Sequence, residues 1–283
     1  MKEKIKKIID DSPYDIGVYI STMDEVLFSW NQDREYESAS CIELFILVEY
    51  YRQVSEGIIS EDDLLSYQKE DAIFGLNTDI ISLLHYGIQF STKDLAVLMI
   101  TRSDNIATNK LIELLGIDNI NKTIHDLGFV KTRLHCPLDL LKYLKFGTTT
   151  PYEYAKAYQM ILNGEMINQD ISSKCLSILK KQDTLDMLQK GLLAWDFVAR
   201  GTEESDIFYI ASKCGIIVYN DTDMPNVRND GGIISTKYGD YILSIFISQV
   251  DDLRFDYDNK AIELGGKIGE CAYEEVRKRY PKH

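Results

Sequence analysis

Apolar positions follow two different periods along this chain, and the switches between them divide it into three blocks. Ile5, Ile8 and Ile9 share one face of a short amphipathic helix at the N-terminus. Asp15–Thr22 then alternates, with Ile16, Val18 and Ile20 on one side, and Glu25–Trp30 follows after a turn, which predicts a β-hairpin. From about residue 40 to about residue 200 the period becomes helical. Leu44, Phe45, Val48 and Tyr51 mark an apolar stripe that ends at Gly57. Helix signals punctuate the rest of that block: Ser91-Thr92-Lys93-Asp94 reads as a capping box, and Asn105–Leu115 stops at Gly116. Thr150 is placed to cap a helix with Pro151 at its first position and Glu153 at its third, running to Asn163-Gly164. After about residue 206 alternation returns, predicting strands over Phe208–Val218, Gly232–Thr236 and Tyr241–Val250. Turn-rich Asn220–Asn226 and Lys237–Asp240 separate them, and a last helix runs from about Tyr257 to Arg279.

Strands at both ends of a helical block most simply pair with each other. The expected fold is α+β, with a five-stranded antiparallel sheet flanked by the terminal helices and an all-α lobe beside it. On this reading 1–283 is a single domain, in which 1–35 and 207–283 form the α/β lobe and 36–206 the helical lobe. No Gly/Pro/Ser linker, repeat or low-complexity tract divides the chain.

Composition narrows the classes. The chain has 283 residues, 45% of them hydrophobic, enough to bury a sizeable core. Its 31 Lys and Arg against 45 Asp and Glu give a net charge of −14. That balance disfavours nucleic acid and anionic lipid, which need a positive field. No apolar run approaches the roughly 18–20 residues of a membrane helix. Five cysteines without a CxxC pair argue against a disulfide framework and a zinc cluster, and no metal or cofactor is expected. The basic start lacks an apolar signal core, so the cytoplasm is the expected compartment, or secretion if a leader was removed.

Three short segments carry candidate chemistry: Ala39-Ser40-Cys41-Ile42-Glu43-Leu44, Ser103-Asp104-Asn105, and Lys213-Cys214-Gly215. Each has an ordinary explanation. Ser40-x-x-Glu43 before an apolar run reads as a capping box, Ser-Asp-Asn makes a good turn and cap, and Lys-Cys-Gly suits a strand with a glycine bulge. Their order along the chain is the informative feature. It resembles the S-x-x-K, S-D-N and K-T-G elements of the class A β-lactamase and penicillin-binding superfamily. Supporting stretches are Arg52–Glu61 after the first segment, Ile100–Leu127 around the second, Thr148-Thr149-Thr150-Pro151, and Asn229-Asp230-Gly231-Gly232-Ile233.

The resemblance implies a two-lobed serine acyl-transfer fold with a small β-lactam-like, amide or ester ligand. It makes Ser40 the nucleophile, at a helix start where the dipole favours negative charge. It places an oxyanion hole at the Ser40 and Ile216 N–H groups, a proton relay at Ser103, substrate binding at Asn105, Cys214 and Gly215, and positive potential at Lys213. Three departures count against ordinary turnover. Glu43 stands where the family has lysine, and a carboxylate of ordinary pKa, about 4.3, is a weaker base than a neutral amine. Arg133–Gly147 lacks the family's deacylating E-x-x-L-N motif: Cys136-Pro137 lies roughly where Glu-Pro would be, and Asp139 is the nearby carboxylate. Cys214 replaces a threonine and offers a weak donor. Cys41, Cys136 and Cys214 are all expected near the cleft, as small semi-apolar fillers or as an altered thiol, metal or redox site, with His135 the nearest histidine. The expected function is a β-lactamase-like serine hydrolase with an impaired site; the alternatives are an enzyme that uses Glu43 as base and a non-catalytic binding protein on the same fold.

Overall fold

The computed structural model describes residues 1–72, 79–139, 145–182, 186–192, 201–203, 205–219, 223–254, 256 and 258–279. The chain opens with helix α1 (Lys2–Asp10) and strands β1 (Asp15–Thr22) and β2 (Val26–Trp30). It closes with β8 (Ile207–Ser212), β9 (Gly215–Ile217), β10 (Val227–Thr236), β11 (Gly239–Ser248) and helix α9 (Lys260–Arg279). These strands form one sheet in the order β2-β1-β11-β10-β8, with β9 also paired to β10 and every pairing antiparallel. The first strand therefore lies beside the last, Ile16 opposite Ile247 and Ile20 opposite Leu243.

The sheet has six strands where the pattern predicts five. The expected continuous strand Phe208–Val218 is broken at Lys213–Cys214 into β8 and β9, both paired to β10. The break frees Lys213 from the pleat, and its side chain reaches into the helical block instead of standing on a sheet face.

Both faces of the sheet are covered. On one, Ile16, Val18, Ile20, Leu243, Ile245 and Ile247 pack with Ile5 and Ile9 of α1 and Ile268, Ala272 and Val276 of α9. On the other, Tyr19, Ala211, Ile233, Ile242 and Phe246 join the core of the helical block. Double burial explains why β10 is buried at all ten positions. Helix α6 (Pro151–Asn163) lies across β1, β10 and β11. Gly231 permits that approach, because a Cβ there would meet the Tyr154 ring at 2.6 Å.

The helical block holds α2 (Glu43–Ser55), α3 (Thr92–Arg102), α4 (Asn105–Leu115), α5 (Ile117–Asp126), α6, α7 (Gln169–Leu179) and the short α8 (Met187–Lys190). The capping signals place their ends: Ser91 accepts from the Asp94 N–H, Thr150 accepts from the Glu153 N–H, and Gly116 and Gly164 follow α4 and α6. Two small sheets were not visible in the pattern: β4 (Leu64–Ser66) with β5 (Gln89–Ser91), and β3 (Tyr36–Glu37) with β7 (Gly147–Thr149) and β6 (Arg133–Leu134). Within the expected Arg133–Gly147 segment, residues 140–144 lie outside the described residues, as do 220–222 of the expected turn at Asn220–Asn226. No helix among the described residues is long and apolar enough to cross a membrane.

Candidate active site

Helix α2 begins later than the sequence suggests. A 3-10 turn covers Ala39–Ile42, and the α-helix starts at Glu43. Ser40 therefore sits inside the turn, and no side-chain cap forms, so the capping-box reading of Ser40-x-x-Glu43 does not hold. Ala39 has φ 46°, a left-handed conformation that costs a non-glycine residue on the order of 1 kcal/mol. Neighbouring groups over-determine it. The Asn229 side-chain amide donates to the Glu37 carbonyl at 2.8 Å and to the Ser38 carbonyl at 3.2 Å, and the Ser38 N–H donates to the Gly147 carbonyl at 2.9 Å. Gly215 packs so closely that a Cβ would lie 2.8 Å from the Ser40 and Cys41 nitrogens and the Ser38 carbonyl oxygen. This contact brings Ile216, the next residue of β9, beside the turn.

The three sequence-distant segments converge on one carboxyl group. Glu43 and Lys213 are both fully buried, and Lys213 Nζ lies 3.3 Å from Glu43 Oε2. The Ser103 hydroxyl donates to Glu43 Oε1 at 3.2 Å and accepts from Lys213 Nζ at 3.1 Å. The Ser40 hydroxyl lies near the same carboxyl, close enough to favour its ionised form. Thr108, on α4, stands 3.3 Å from Glu43 Oε1 while its hydroxyl donates to the Asp104 carbonyl at 2.9 Å. Ser103 reaches this position because it ends α3 in a left-handed conformation, φ 50°, just before the Asp104 cap of α4.

Burial pushes the Glu43 pKa up, opposed by the Lys213 charge and by the Lys213, Ser40 and Ser103 side chains. Burial is the largest single influence on Lys213 and pulls it down, but the Glu43 charge and hydrogen bond together with the neighbouring Cys214 and Cys41 outweigh it, so the net shift is upward and Lys213 stays an ammonium. Its remaining donor capacity goes to the Cys214 carbonyl, at 2.7 Å. The Lys213 carbonyl in turn accepts from the Tyr154 hydroxyl at 2.7 Å.

Other expected site residues have different partners. Asp79 Oδ1 accepts from the Asn105 backbone N–H at 2.7 Å and from its side-chain amide at 2.9 Å. The thiol of Cys214 is buried and pushed up to about 12 by desolvation. Burial also raises Cys41, whose thiol faces the Lys213 carbonyl at 3.5 Å. Two protonated, buried thiols fit the filler reading. Cys136 lies in the β6–β7 connection with its thiol 3.3 Å from the Lys145 carbonyl. None of the five cysteines forms a disulfide. Ser40, Ser103 and Ile216 remain half-buried, which makes them the solvent-touching members of the group.

Sequence reasoning missed several supports. Asn109 lies one helical turn after Asn105 and pairs twice with the Leu138 backbone, donating to its carbonyl and accepting from its N–H, each at 2.9 Å. The i,i+4 spacing was a usable signal. Asp79, Thr108 and Tyr154 gave no signal of a role at this site, and Asn229 stood out only as part of a stretch that supports the resemblance.

A serine on a strained turn beside a buried carboxyl that holds a second serine and a lysine, set between an antiparallel sheet and a helical block, defines the class of β-lactamase-like serine hydrolases. The chain belongs to the β-lactamase enzyme family, whose sequence pattern matches residues 1–276. It is similar in structure to a β-lactamase from Sphaerobacter thermophilus DSM 20745, at 25% identity and a TM-score of 0.82, over 97% of this chain and 95% of that one. A PBP-A variant, solved as its acyl-enzyme complex with penicillin G, matches at 23% identity and a TM-score of 0.78, over 98% and 95% of the two chains. A class A β-lactamase representative from Bacteroides cellulosilyticus DSM 14838 matches at 21% identity and a TM-score of 0.77, over 97% and 98%. None of the curated proteins matches the chain.

Proposed function

We propose that Ser40 is an acyl acceptor for a small β-lactam-like, amide or ester ligand, and that its acylation is slow and its turnover slower still. The observation that supports this reading is the fully buried Glu43–Lys213 pair, 3.3 Å apart, at the nucleophile. In the acylation step Ser40 Oγ bonds to the ligand carbonyl carbon, the Ser40 proton passes to the Glu43 carboxylate, and the carbonyl electron pair moves onto oxygen. The Ser40 and Ile216 N–H groups receive that oxyanion. When it collapses, the carbon–heteroatom bond breaks, and the leaving atom takes a proton through Ser103.

Glu43 is a handicapped base. Burial raises its basicity, but the ammonium at 3.3 Å stabilises the ionised form and opposes proton uptake. Losing an effective general base costs about 10²–10⁴ in rate. Lys213, already bonded to Glu43, Ser103 and the Cys214 carbonyl, offers little to a ligand carboxylate. Release of the acyl group is slower again, because the deacylating motif is missing and Cys136 stands near its place. The cleft is taken to lie between an α/β lobe (1–35 with 207–283) and a helical lobe (36–206), and the cysteines without disulfides suit the cytoplasm.

A second reading, a binding protein without chemistry, is favoured by the same Glu43–Lys213 pair, which is the contact expected of it, and by the internal satisfaction of Lys213 and of the Asn105 amide. Intact-mass measurement after prolonged exposure to a reporter penicillin separates the two. Slow growth of one adduct, absent in Ser40→Ala, supports acylation. No adduct at Ser40 favours the binding reading. An adduct that forms within mixing time and then turns over contradicts both.

A further inference from the structure

Glu37 is the last residue of β3, two positions before the left-handed Ala39, and is 5% exposed. Its Oε1 accepts from the backbone N–H groups of Phe146 and Gly147, each at 3.2 Å. The Ala39 N–H points to the same carboxyl. Among the described residues Glu37 Oε2 is buried without a hydrogen-bond partner of ordinary length, and so is the Tyr219 hydroxyl, which faces it from the segment after β9. Among the described residues, the other charged or titratable groups around this pair are the Lys145 ammonium, beside Glu37, and the Cys136 thiol, beside Tyr219. Packing alone needs no carboxyl here, and a buried acid without a paired cation is costly.

We propose that Glu37 is a positioning residue for the nucleophile, its carboxyl tying the Ala39–Ser40 turn to the start of β7 so that the two segments hold or loosen together. For its effect on chemistry this rests on Ser40 being the acyl acceptor; for its effect on the backbone it stands alone. Burial is the largest influence on Glu37 and raises its pKa to about 7, against the backbone N–H groups of Gly147, Ala39 and Phe146 and the Lys145 charge. With a proton on Oε2, Glu37 donates to the Tyr219 oxygen, both orphaned atoms are satisfied, and Oε1 keeps its N–H donors. Without it, a buried carboxylate is stabilised by those N–H groups, the Tyr219 hydroxyl and the nearby Lys145, and water access becomes favourable. The clasp is therefore tighter below neutrality and looser above it.

Hydrogen exchange of the whole protein at pH 6 and pH 8, corrected for intrinsic rates, tests this with Glu37→Gln and Tyr219→Phe. In the wild type, segments 38–42 and 145–149 should both exchange about tenfold faster at pH 8, the ratio of ionised fractions one pH unit either side of 7. Glu37→Gln should remove that ratio in both segments, and Tyr219→Phe should lower protection at pH 6. A pH-independent wild type, a ratio that survives Glu37→Gln, or two segments that respond separately overturns the proposal. Should Glu37→Gln not fold, the wild-type ratio and Tyr219→Phe still decide it. The rate of Ser40 adduct formation should break near pH 7 in the wild type and lose that break in Glu37→Gln. If no adduct forms in either, the acyl-acceptor reading fails while the exchange result still judges the clasp.

Discussion

Replacing Lys213 by methionine is the sharpest test of the buried pair. The side chain it removes is fully buried and makes three polar contacts: Glu43 Oε2 at 3.3 Å, the Ser103 hydroxyl at 3.1 Å and the Cys214 carbonyl at 2.7 Å. Methionine fills similar volume, so the cost is mainly electrostatic. Breaking a buried pair by removing one partner costs about 3–5 kcal/mol, because the other charge is left uncompensated. Glu43→Gln should cost a comparable amount, since Lys213 then keeps only its neutral acceptors. The double variant Glu43→Gln/Lys213→Met leaves no unpaired buried charge and should be far less destabilised than the sum of the singles, with a coupling of about 2–3 kcal/mol. The pH dependence has a definite sign. Without Lys213, the Glu43 pKa is raised further in the folded state. Folding then favours the protonated acid, so stability is fullest below the ordinary carboxylate pKa and is lost as pH rises. Lys213→Met should therefore be more destabilised at pH 8 than at pH 5, measured by urea unfolding at both. Single-variant costs that add to the double, or a Lys213→Met cost that does not change with pH, would refute a buried, mutually dependent ion pair.

Three further outcomes follow from the geometry. Gly215→Ala should cost about 1–3 kcal/mol and displace the Ser40 turn, because its Cβ would meet three backbone atoms at 2.8 Å; an unfolding curve matching the wild type would contradict that packing. Asn109→Ala removes both bonds to the Leu138 backbone and should cost about 1–3 kcal/mol, with faster amide exchange at Leu138; unchanged exchange there would count against the anchor. Glu37, raised from 4.5 to about 7, contributes stability that is full below about 4.5 and is lost as pH rises to about 7. Glu37→Gln should therefore gain on the wild type by about 3 kcal/mol between pH 4.5 and pH 8, at about 1.36 kcal/mol per pH unit, and a constant difference across that range would be inconsistent with the raised carboxyl.

Much of the framework is readable from local rules. Thr150 and Pro151 place the start of α6 because cap and fixed φ act within one turn, whereas the Glu153 carboxyl turns away to the Val130 and Lys131 N–H groups and the Thr132 hydroxyl; Gly116 and Gly164 end α4 and α6 for similarly local reasons. Pairing of the terminal strands follows from their position around a helical block. The break at Lys213–Cys214 is not visible, since an apolar run that is buried on both faces looks the same whether continuous or split. Strands β3, β6 and β7 are two or three residues long, too short to show a period, and so the surroundings of Glu37 went unread. At the site, the order of the three segments is legible, and the change of lysine to Glu43 is legible as a loss. Pairing with Lys213 is legible only as one of two partners open to Glu43 on the non-catalytic reading, since the two residues lie 170 positions apart and no spacing rule chooses between Lys213 and backbone N–H groups.

The central claim is that a carboxylate paired to Lys213 has taken the place of the amine beside Ser40 and slows its acylation. Comparing the rate of penicillin adduct formation in Glu43→Lys with that of the wild type, by time-resolved intact mass, tests it most directly. The account predicts that Glu43→Lys acylates faster by about 10²–10⁴, with the gain abolished by Ser40→Ala. A folded Glu43→Lys that acylates no faster than the wild type would contradict it.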